Sequence, residues 1–224
     1  MKVLFIIAAF NEEASINRVV TELTDAGQSV LVVNDGSTDK TAEILAKIGP
    51  PLYVATHPTN LGQGASLQTG LVCARLLNPD FVITFDADGQ HSLTDALAMI
   101  AFMEKSPSLQ ILLGSRFLGS TINMPWIRWL MLKIAIFYTR ISSGLRITDT
   151  HNGLRVLRRS FYQKFNFTSP GMEHASEILD CIGLLKVSYA EFPVTITYNS
   201  YSLAKGQRSS QALSLFFRLI EEKL

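Results

Sequence analysis

Phe81-Val82-Ile83-Thr84-Phe85-Asp86-Ala87-Asp88-Gly89-Gln90-His91 is the stretch whose reading decides the fold. Its first five residues form an apolar, β-branched and aromatic run of strand length. The run ends on two carboxylates, two residues apart. In an extended segment, residues i and i+2 share a face, so Asp86 and Asp88 turn toward one point. Close carboxylates repel unless a cation lies between them, and a hard divalent ion carrying a diphosphate is the natural occupant. A solvated acidic turn capping the next helix is the competing reading, since helix starts favour such residues.

Working outward, the first half alternates strands and helices. Strands are expected at 3–9, 30–34, 52–56, 81–85 and 111–115, and helices at 12–26, 38–48, 64–77 and 92–105. The strands are near-continuous apolar runs, as in a parallel sheet covered on both faces. Ligands bind beyond the carboxyl ends of such strands. The polar clusters fall there: Asn11-Glu12-Glu13, Asn34-Asp35-Gly36-Ser37, 57–64 and 86–91.

The chain has 224 residues, 47% of them hydrophobic, enough for one sizeable core and a single α/β domain. The apolar run 4–10 is too short for a signal peptide, and no apolar segment reaches the roughly 18 residues needed to span a bilayer. Cys73 and Cys181 lack metal-type spacing and read as reduced core thiols of a cytosolic protein. The net charge of +1 hides an asymmetry. Residues 1–104 carry 5 Lys/Arg and 12 Asp/Glu, whereas residues 105–172 carry 10 Lys/Arg and a single acid, Asp149. Such a basic stretch attracts phosphates of a nucleic acid or a membrane surface. Its cations are interleaved with bulky aliphatics, which ranks nucleic acid low.

Residues 126–145 read as an amphipathic helix. At 100° per residue, Arg128, Lys133, Arg140 and Arg146 fall within about 140° of one face, opposite Ile, Leu, Met, Phe and Trp. That pattern suits a helix at a membrane interface, with cations on anionic lipid, or a helix packed on the sheet. Residues 212–224 form a second amphipathic segment, an external helix or a docking point for a membrane partner.

Two further motifs open helices. In Asn34-Asp35-Gly36-Ser37-Thr38-Asp39, Asp35 is placed to accept from a base or ribose, Gly36 allows the turn, and Ser37 or Thr38 caps the helix. In Asn60-Leu61-Gly62-Gln63-Gly64-Ala65, two glycines let backbone approach a ligand and the helix N-terminus favours a phosphate. It is neither the dinucleotide fingerprint nor a P-loop.

Taken in order, AAFNEE, NDGSTDKT, NLGQGAS, FDADGQH, GSRF, DTHNGLRVLRR and EFPVTI resemble family-2 glycosyltransferases. Within them the chain is most similar to polyprenyl-phosphate sugar synthases of the dolichyl-phosphate mannose synthase type. The resemblance covers about residues 3–207 and implies the GT-A fold, a mostly parallel sheet with helices on both faces, plus an amphipathic interfacial helix. It implies one domain over 1–224, with a nucleotide-sugar half (1–113) and an acceptor half (114–224).

It also implies roles. The family's Pro-Ala-Tyr-Asn-Glu-Glu stands here as Ala8-Ala9-Phe10-Asn11-Glu12-Glu13, without the proline and the tyrosine hydroxyl. Ala9, Phe10, Asn11, Glu12, Asp35, Asn60, Gly62, Gln63, Asp86 and Ala87 are then expected at the nucleotide. Asp86, Asp88 and Gln90 are expected on Mg²⁺ or Mn²⁺. Arg116 and Arg128 resemble the arginines that receive a lipid phosphate, and Glu177 a glutamate facing the donor sugar. Lys205 matches a lysine that closes over the diphosphate, although Asn199, Ser202 and Ala204 depart from that motif. His151, Glu173 and His174 have no assigned role.

The activity so implied is inverting, metal-dependent transfer of a sugar from a UDP- or GDP-sugar to a polyprenyl phosphate. It belongs at the cytoplasmic membrane face, on a peripheral protein, and the resemblance admits a small membrane protein as partner. A phosphate monoester has a second pKa near ~6 and is already anionic, so such an acceptor needs cations and no general base. Transfer to a glycan hydroxyl, or nucleotidyl transfer, are the alternatives on a similar sheet.

Overall fold

A computed structural model of the protein describes residues 1–198 and 201. The chain runs β1 (Val3–Ala9), α1 (Ile16–Asp25), β2 (Ser29–Asn34), α2 (Thr41–Leu45), β3 (Leu52–Thr56), α3 (Gln63–Leu77) and β4 (Phe81–Thr84). It continues through α4 (Leu93–Glu104), β5 (Ile111–Ile122), α5 (Trp126–Ser143), β6 (Arg155–Arg158), α6 (Arg159–Tyr162), α7 (His174–Leu185) and β7 (Tyr189–Thr197). The strands form one seven-stranded sheet in the order β3-β2-β1-β4-β6-β5-β7. Pairs among β1 to β4 are parallel; β6 runs antiparallel to both β4 and β5. The boundary expected at 113/114 therefore falls inside β5, and both halves share one sheet.

The apolar runs work by alternation. Phe5, Ile7, Val30 and Val32 turn to one face and pack with α1, α2 and α4, where Ile16, Leu45 and Met99 are fully enclosed. Leu4, Ile6, Leu31 and Val33 turn to the other face, against α3, α6 and α7 through Leu71, Tyr162 and Ile178. Strands buried on both faces read as continuous hydrophobic runs for this reason. Cys73 and Cys181 are free and only half-buried at the edge of the second layer.

Two expected helices are shorter than their pattern. The helix from 12 starts at Ile16, because residues 12–15 make a turn in which Glu12 O accepts from Ser15 N and Ile16 N. The helix from 38 starts at Thr41. The backbone N–H of Thr38 donates to Asn11 Oδ1, that of Lys40 to Glu13 Oε2 and that of Thr41 to Asp39 Oδ1. Side chains that offer the backbone other acceptors compete with the helical ladder. Conversely, β5 runs past the expected 115 to Ile122, pairing with β7 beyond a register shift between Ser115 and Ser120.

The fold brings the carboxyl ends of β1, β2, β3 and β4 to one edge. Because β6 is antiparallel, it starts at that same edge, with Arg155 paired to Thr84.

Candidate functional site

Asp86 and Asp88 follow β4, and their surroundings differ. Asp86 Oδ2 accepts from His91 Nε2 at 2.8 Å, and Oδ1 accepts from Gln63 Nε2 at 3.5 Å. Its carboxylate lies over Gly153, where any Cβ would collide with it. Asp88 Oδ1 accepts from the backbone of Gln90 at 3.0 Å and Oδ2 from Gln90 Nε2 at 2.6 Å. Burial pushes the Asp86 carboxyl up, but His91, His174 and Arg155 outweigh it and hold it below the ordinary value. Burial, and then the charge on Asp86, lift Asp88 to about 6. One carboxylate is thus neutralised by the protein and the other carries an uncompensated charge.

Two residues that the sequence reading left unassigned or did not single out line the cleft with Asp86, Gln63 and Thr84: His174 and Arg155. Arg155 is buried, donating through Nε to Asn152 O and through Nη2 to Ala175 O, both at 3.2 Å. Burial lowers its pKa to about 10 despite Asp86 and Asp149. His174 Nδ1 donates to Gly171 O at 2.8 Å, and burial, then Arg155, push its pKa down. The signal for Arg155 was an arginine set between Leu154 and Val156 in an apolar strand run. For His174 there was none, since its approach depends on loop 169–173.

The nucleotide-side residues all gather at this edge, yet several are occupied by the chain itself. Asp35 is 3% exposed. Its Oδ1 meets His57 Nδ1 at 2.7 Å and Leu61 N at 2.9 Å, and its Oδ2 accepts from Gly62 N at 2.8 Å. Asp35, expected to read a base or ribose, here holds the 57–62 loop through its oxygens. Gly62 and Gly64, expected to let a ligand approach, lie against the chain's own loop. A Cβ on either would strike the carbonyls of Pro170 or Ser169, and Ala65 N donates to Pro170 O at 3.1 Å. The close approach those glycines permit is made here by loop 169–171, which also supplies an acceptor at the start of α3. Asn11 joins the first two loops through Ser37 Oγ and Thr38 N, and buried Glu12 accepts from Ser15 Oγ and the Tyr201 hydroxyl. Ala9 and Ala87 are buried, whereas the side chains of Phe10 and Asn60 are exposed at the edge.

On the acceptor side, Arg116 is 5% exposed. Its Nε donates to Asp149 at 2.6 Å, Nη1 to the Tyr198 hydroxyl at 2.7 Å and Nη2 to His151 O at 2.8 Å. Arg116, expected to receive a phosphate, here spends three of its five guanidinium N–H donors on the protein itself. Arg128 is half-buried, with its guanidinium 5.0 Å from the ring centre of the same Tyr198. Glu177, expected to face the donor sugar, is engaged by the chain itself. It accepts from Thr168 N, Thr168 Oγ1 and Ser169 N at 2.5–3.0 Å, and lines a separate groove of about 680 Å³ with Phe161, Phe165 and Cys181. Burial raises its carboxyl, and those bonds bring it below the ordinary value. It secures the loop that presses on Gly62 and Gly64. Lys205, with Asn199, Ser202 and Ala204, lies outside the described residues.

Two cations of α5 touch neighbouring segments, although Arg140 stays exposed. Lys133 Nζ lies 3.7 Å from the Phe117 ring centre, and Arg140 Nε donates to Ile147 O at 2.6 Å. The buried line is Leu132, Ile136 and Thr139. Opposite it, Ile127, Leu130, Ile134, Phe137 and Ile141 form a solvent-exposed apolar stripe at helical spacing, with Trp126 at its head. The basic stretch is also weaker outside than its composition suggests. Arg155, Arg158 and Arg159 spend donors on backbone carbonyls of neighbouring segments.

Asp86, Asp88 and the Gln90 amide make a hard-oxygen donor set of the kind Mg²⁺ and Mn²⁺ take. Among the described residues no group of three or more His, Cys, Asp or Glu is arranged to hold an ion. An ion on this pair would complete its shell with ligand oxygens or water.

Residues 4–165 match the family model described as Glycosyl transferase family 2. An uncharacterised protein of Methanocaldococcus jannaschii is 32% identical over the whole of this chain and 93% of its own length. A UDP-N-acetylglucosamine–dolichyl-phosphate N-acetylglucosaminyltransferase of Methanococcus voltae is 28% identical over 99% of this chain and 96% of its own. Among solved structures, glucosyl-3-phosphoglycerate synthase of Mycobacterium tuberculosis, in complex with Mn²⁺, UDP and phosphoglyceric acid, superposes with a TM-score of 0.68. That match covers 97% of this chain and 78% of the synthase at 17% identity, a likeness of fold.

Proposed function

Because the chain belongs to glycosyl transferase family 2, we propose that it transfers a sugar from a nucleotide-diphospho-sugar to a polyprenyl phosphate at a membrane surface. The reaction inverts the anomeric carbon, and the protein acts peripherally on the cytoplasmic face. Support for the acceptor comes from the full-length relative named for dolichyl phosphate. Support for a divalent ion comes from the Mn²⁺ and UDP named with the structural neighbour and from the oxygen donor set on β4.

The observation that carries the lipid reading is the exposed stripe of α5. Five large apolar side chains in register on one helix face are costly in water and mark an interaction surface. Lys133 and the exposed Arg140 lie beside it on the helix and Arg146 is exposed just beyond, cations of the kind that meet anionic headgroups. No helix of the described residues is long and apolar enough to cross a membrane, so the stripe lies on the bilayer rather than through it.

The residues divide the chemistry. Asp86, Asp88 and Gln90 would hold a divalent cation, which when bound would supply positive charge where the departing diphosphate gains negative charge. Against burial, His91 foremost, with His174 and Arg155, holds the Asp86 carboxyl low for that task. Arg116 fixes Tyr198 and the 149–151 loop, and Arg128, on the open side of Tyr198, is the remaining arginine for the acceptor phosphate. That acceptor is anionic at neutral pH and attacks without a general base.

The test presents radiolabelled UDP- and GDP-sugars with Mn²⁺ to vesicles carrying polyprenyl phosphate, and to free glycan. Label in the lipid, lost on chelation, is expected. Label only in glycan would end the lipid reading, and release of pyrophosphate from a nucleoside triphosphate would replace it with nucleotidyl transfer.

A further inference from the structure

His91 follows the carboxylate pair at the head of the loop into α4, and its side chain is 2% exposed. Its ring stands edge-on to Phe85 at 5.4 Å, and Phe85 stands edge-on to Phe5 at 5.8 Å, so an aromatic ladder rooted in β1 fixes its position. Only one nitrogen is used. Nε2 meets Asp86 Oδ2 at 2.8 Å, while Nδ1 is buried without a partner among the described residues. An ionised carboxylate has no proton to give, so Nε2 donates. A histidine that merely filled this space would be replaced at no loss by phenylalanine, which leaves no orphaned nitrogen. Keeping a costly unpaired Nδ1 makes sense if the bond from Nε2 does a job.

We propose that His91 is a positioning residue that aims the Asp86 carboxylate at a divalent cation. Three restraints fix that carboxylate: the ring at Oδ2, the weaker amide of Gln63 at Oδ1, and the bare Cα of Gly153 beneath it. Of these the ring alone is rigid, because Gln63 is a flexible side chain at 3.5 Å and Gly153 only makes room. Carboxylates that ligate metals are commonly held in this way from behind, and losing the holder weakens metal affinity or activity by ~10–100-fold. Asp88 has no such support. Its partner, Gln90, comes from its own turn. Asp86 is therefore the fixed ligand of the pair and Asp88 the adjustable one.

The inference rests on the metal reading under Proposed function, and the experiment separates the two. Mn²⁺ binding is followed by loss of the free-ion paramagnetic resonance signal, without nucleotide and with UDP or GDP, on the full chain. His91→Phe keeps the ring in the ladder and removes the donor, and His91→Gln restores a donor. The expected result is a Kd for Mn²⁺ raised ~10–100-fold in His91→Phe and recovered to within a few-fold in His91→Gln. The thermal midpoint of the metal-free protein should change little in either. Wild-type affinity in His91→Phe, or no recovery in His91→Gln, overturns the proposal. If His91→Phe does not fold, His91→Asn, too short to reach the carboxylate, takes its place with the same expected loss. A wild type that binds no Mn²⁺ with either nucleotide fells the metal reading and the inference together; wild-type binding that the variants retain fells the inference alone.

Discussion

The two ends of the sheet solve opposite problems with the same kinds of residue. At the β1–β4 end, acidic side chains are tied into loops. Glu13 and Asp39 hold backbone N–H groups, Asp35 gathers three donors, and Asp88 has its carboxyl lifted by burial and by Asp86. At the β5–α5 end, arginines are tied in. Arg116, Arg158 and Arg159 fasten carbonyls and Asp149, and the outer face of α5 is an apolar stripe. Formal charge is thus a poor guide to either surface. Much of it shapes loops, while the carboxylate pair on one side and the apolar stripe of α5 on the other stand out as candidate contact points.

The largest expected effect tests whether the arginines are scaffold. Arg116→Ala leaves Asp149 buried and unpaired, and breaking such a pair costs about 3–5 kcal/mol. Denaturant unfolding should show that loss whether or not an acceptor is present. Arg116→Ala combined with Asp149→Ala should recover part of it. A stable Arg116→Ala protein that had lost only affinity for lipid phosphate would return Arg116 to the acceptor site.

Asp88→Asn comes next. It removes the charge at the cation site while keeping the shape, and transfer should fall at least ~10²-fold, the scale for losing a group aimed at developing charge. The metal-free protein should be no less stable, which distinguishes this end from the arginine end. Transfer that persists near the wild-type rate would remove the cation from the mechanism.

The third test breaks the stripe. Burying a Phe or Ile side chain is worth about 1.5–3 kcal/mol. Ile134→Glu with Phe137→Glu should therefore lower affinity for anionic vesicles in co-sedimentation by ~10²-fold or more, with the unfolding midpoint within a few degrees of wild type. Transfer to a short-chain, soluble acceptor should be kept. Unchanged vesicle binding would move the membrane contact elsewhere.

How far the sequence carried differs in the same way between the ends. The parallel half was legible because its strands are apolar runs closed by polar clusters, and local pattern suffices there. β6 was not, since Arg-Val-Leu-Arg has two charges in four residues and becomes a strand only by pairing with β4 about seventy residues away. Arg155 and His174 reach Asp86 through that pairing and through loop 169–173, contacts with no trace in local composition. The helical wheel of α5 grouped the cations correctly, but it could not say which face meets the body, because the buried and exposed lines are both apolar. Gly62 and Gly64 were rightly read as sites of close approach. What approaches them is the chain's own loop, and sequence does not distinguish a carbonyl from a ligand.

The smallest expected effect sharpens the contrast within the carboxylate pair. Asp88 has its carboxyl lifted from 3.8 to about 6 by burial and by Asp86. The folded state therefore holds this proton more tightly than the unfolded chain does. Between pH 4 and 6 the folded form binds more protons, so its stability falls as pH rises through that window and levels off above it. At pH 7.5 the whole penalty of the ionised pair is present in the metal-free protein; near pH 4 it is gone. Asp88→Asn never carries the penalty. The difference in thermal midpoint, variant minus wild type in chelator, should thus be positive at pH 7.5 and shrink toward zero near pH 4. Taking the difference cancels groups that do not feel Asp88; Asp86, whose low pKa gives the opposite slope, titrates at more acid pH, outside this window. Added Mn²⁺ should close the same gap at pH 7.5, because a cation between the carboxylates removes the repulsion that the variant removes by substitution. A difference that stays flat across the range would mean that the two carboxylates do not feel each other, and the asymmetry drawn between them would fall.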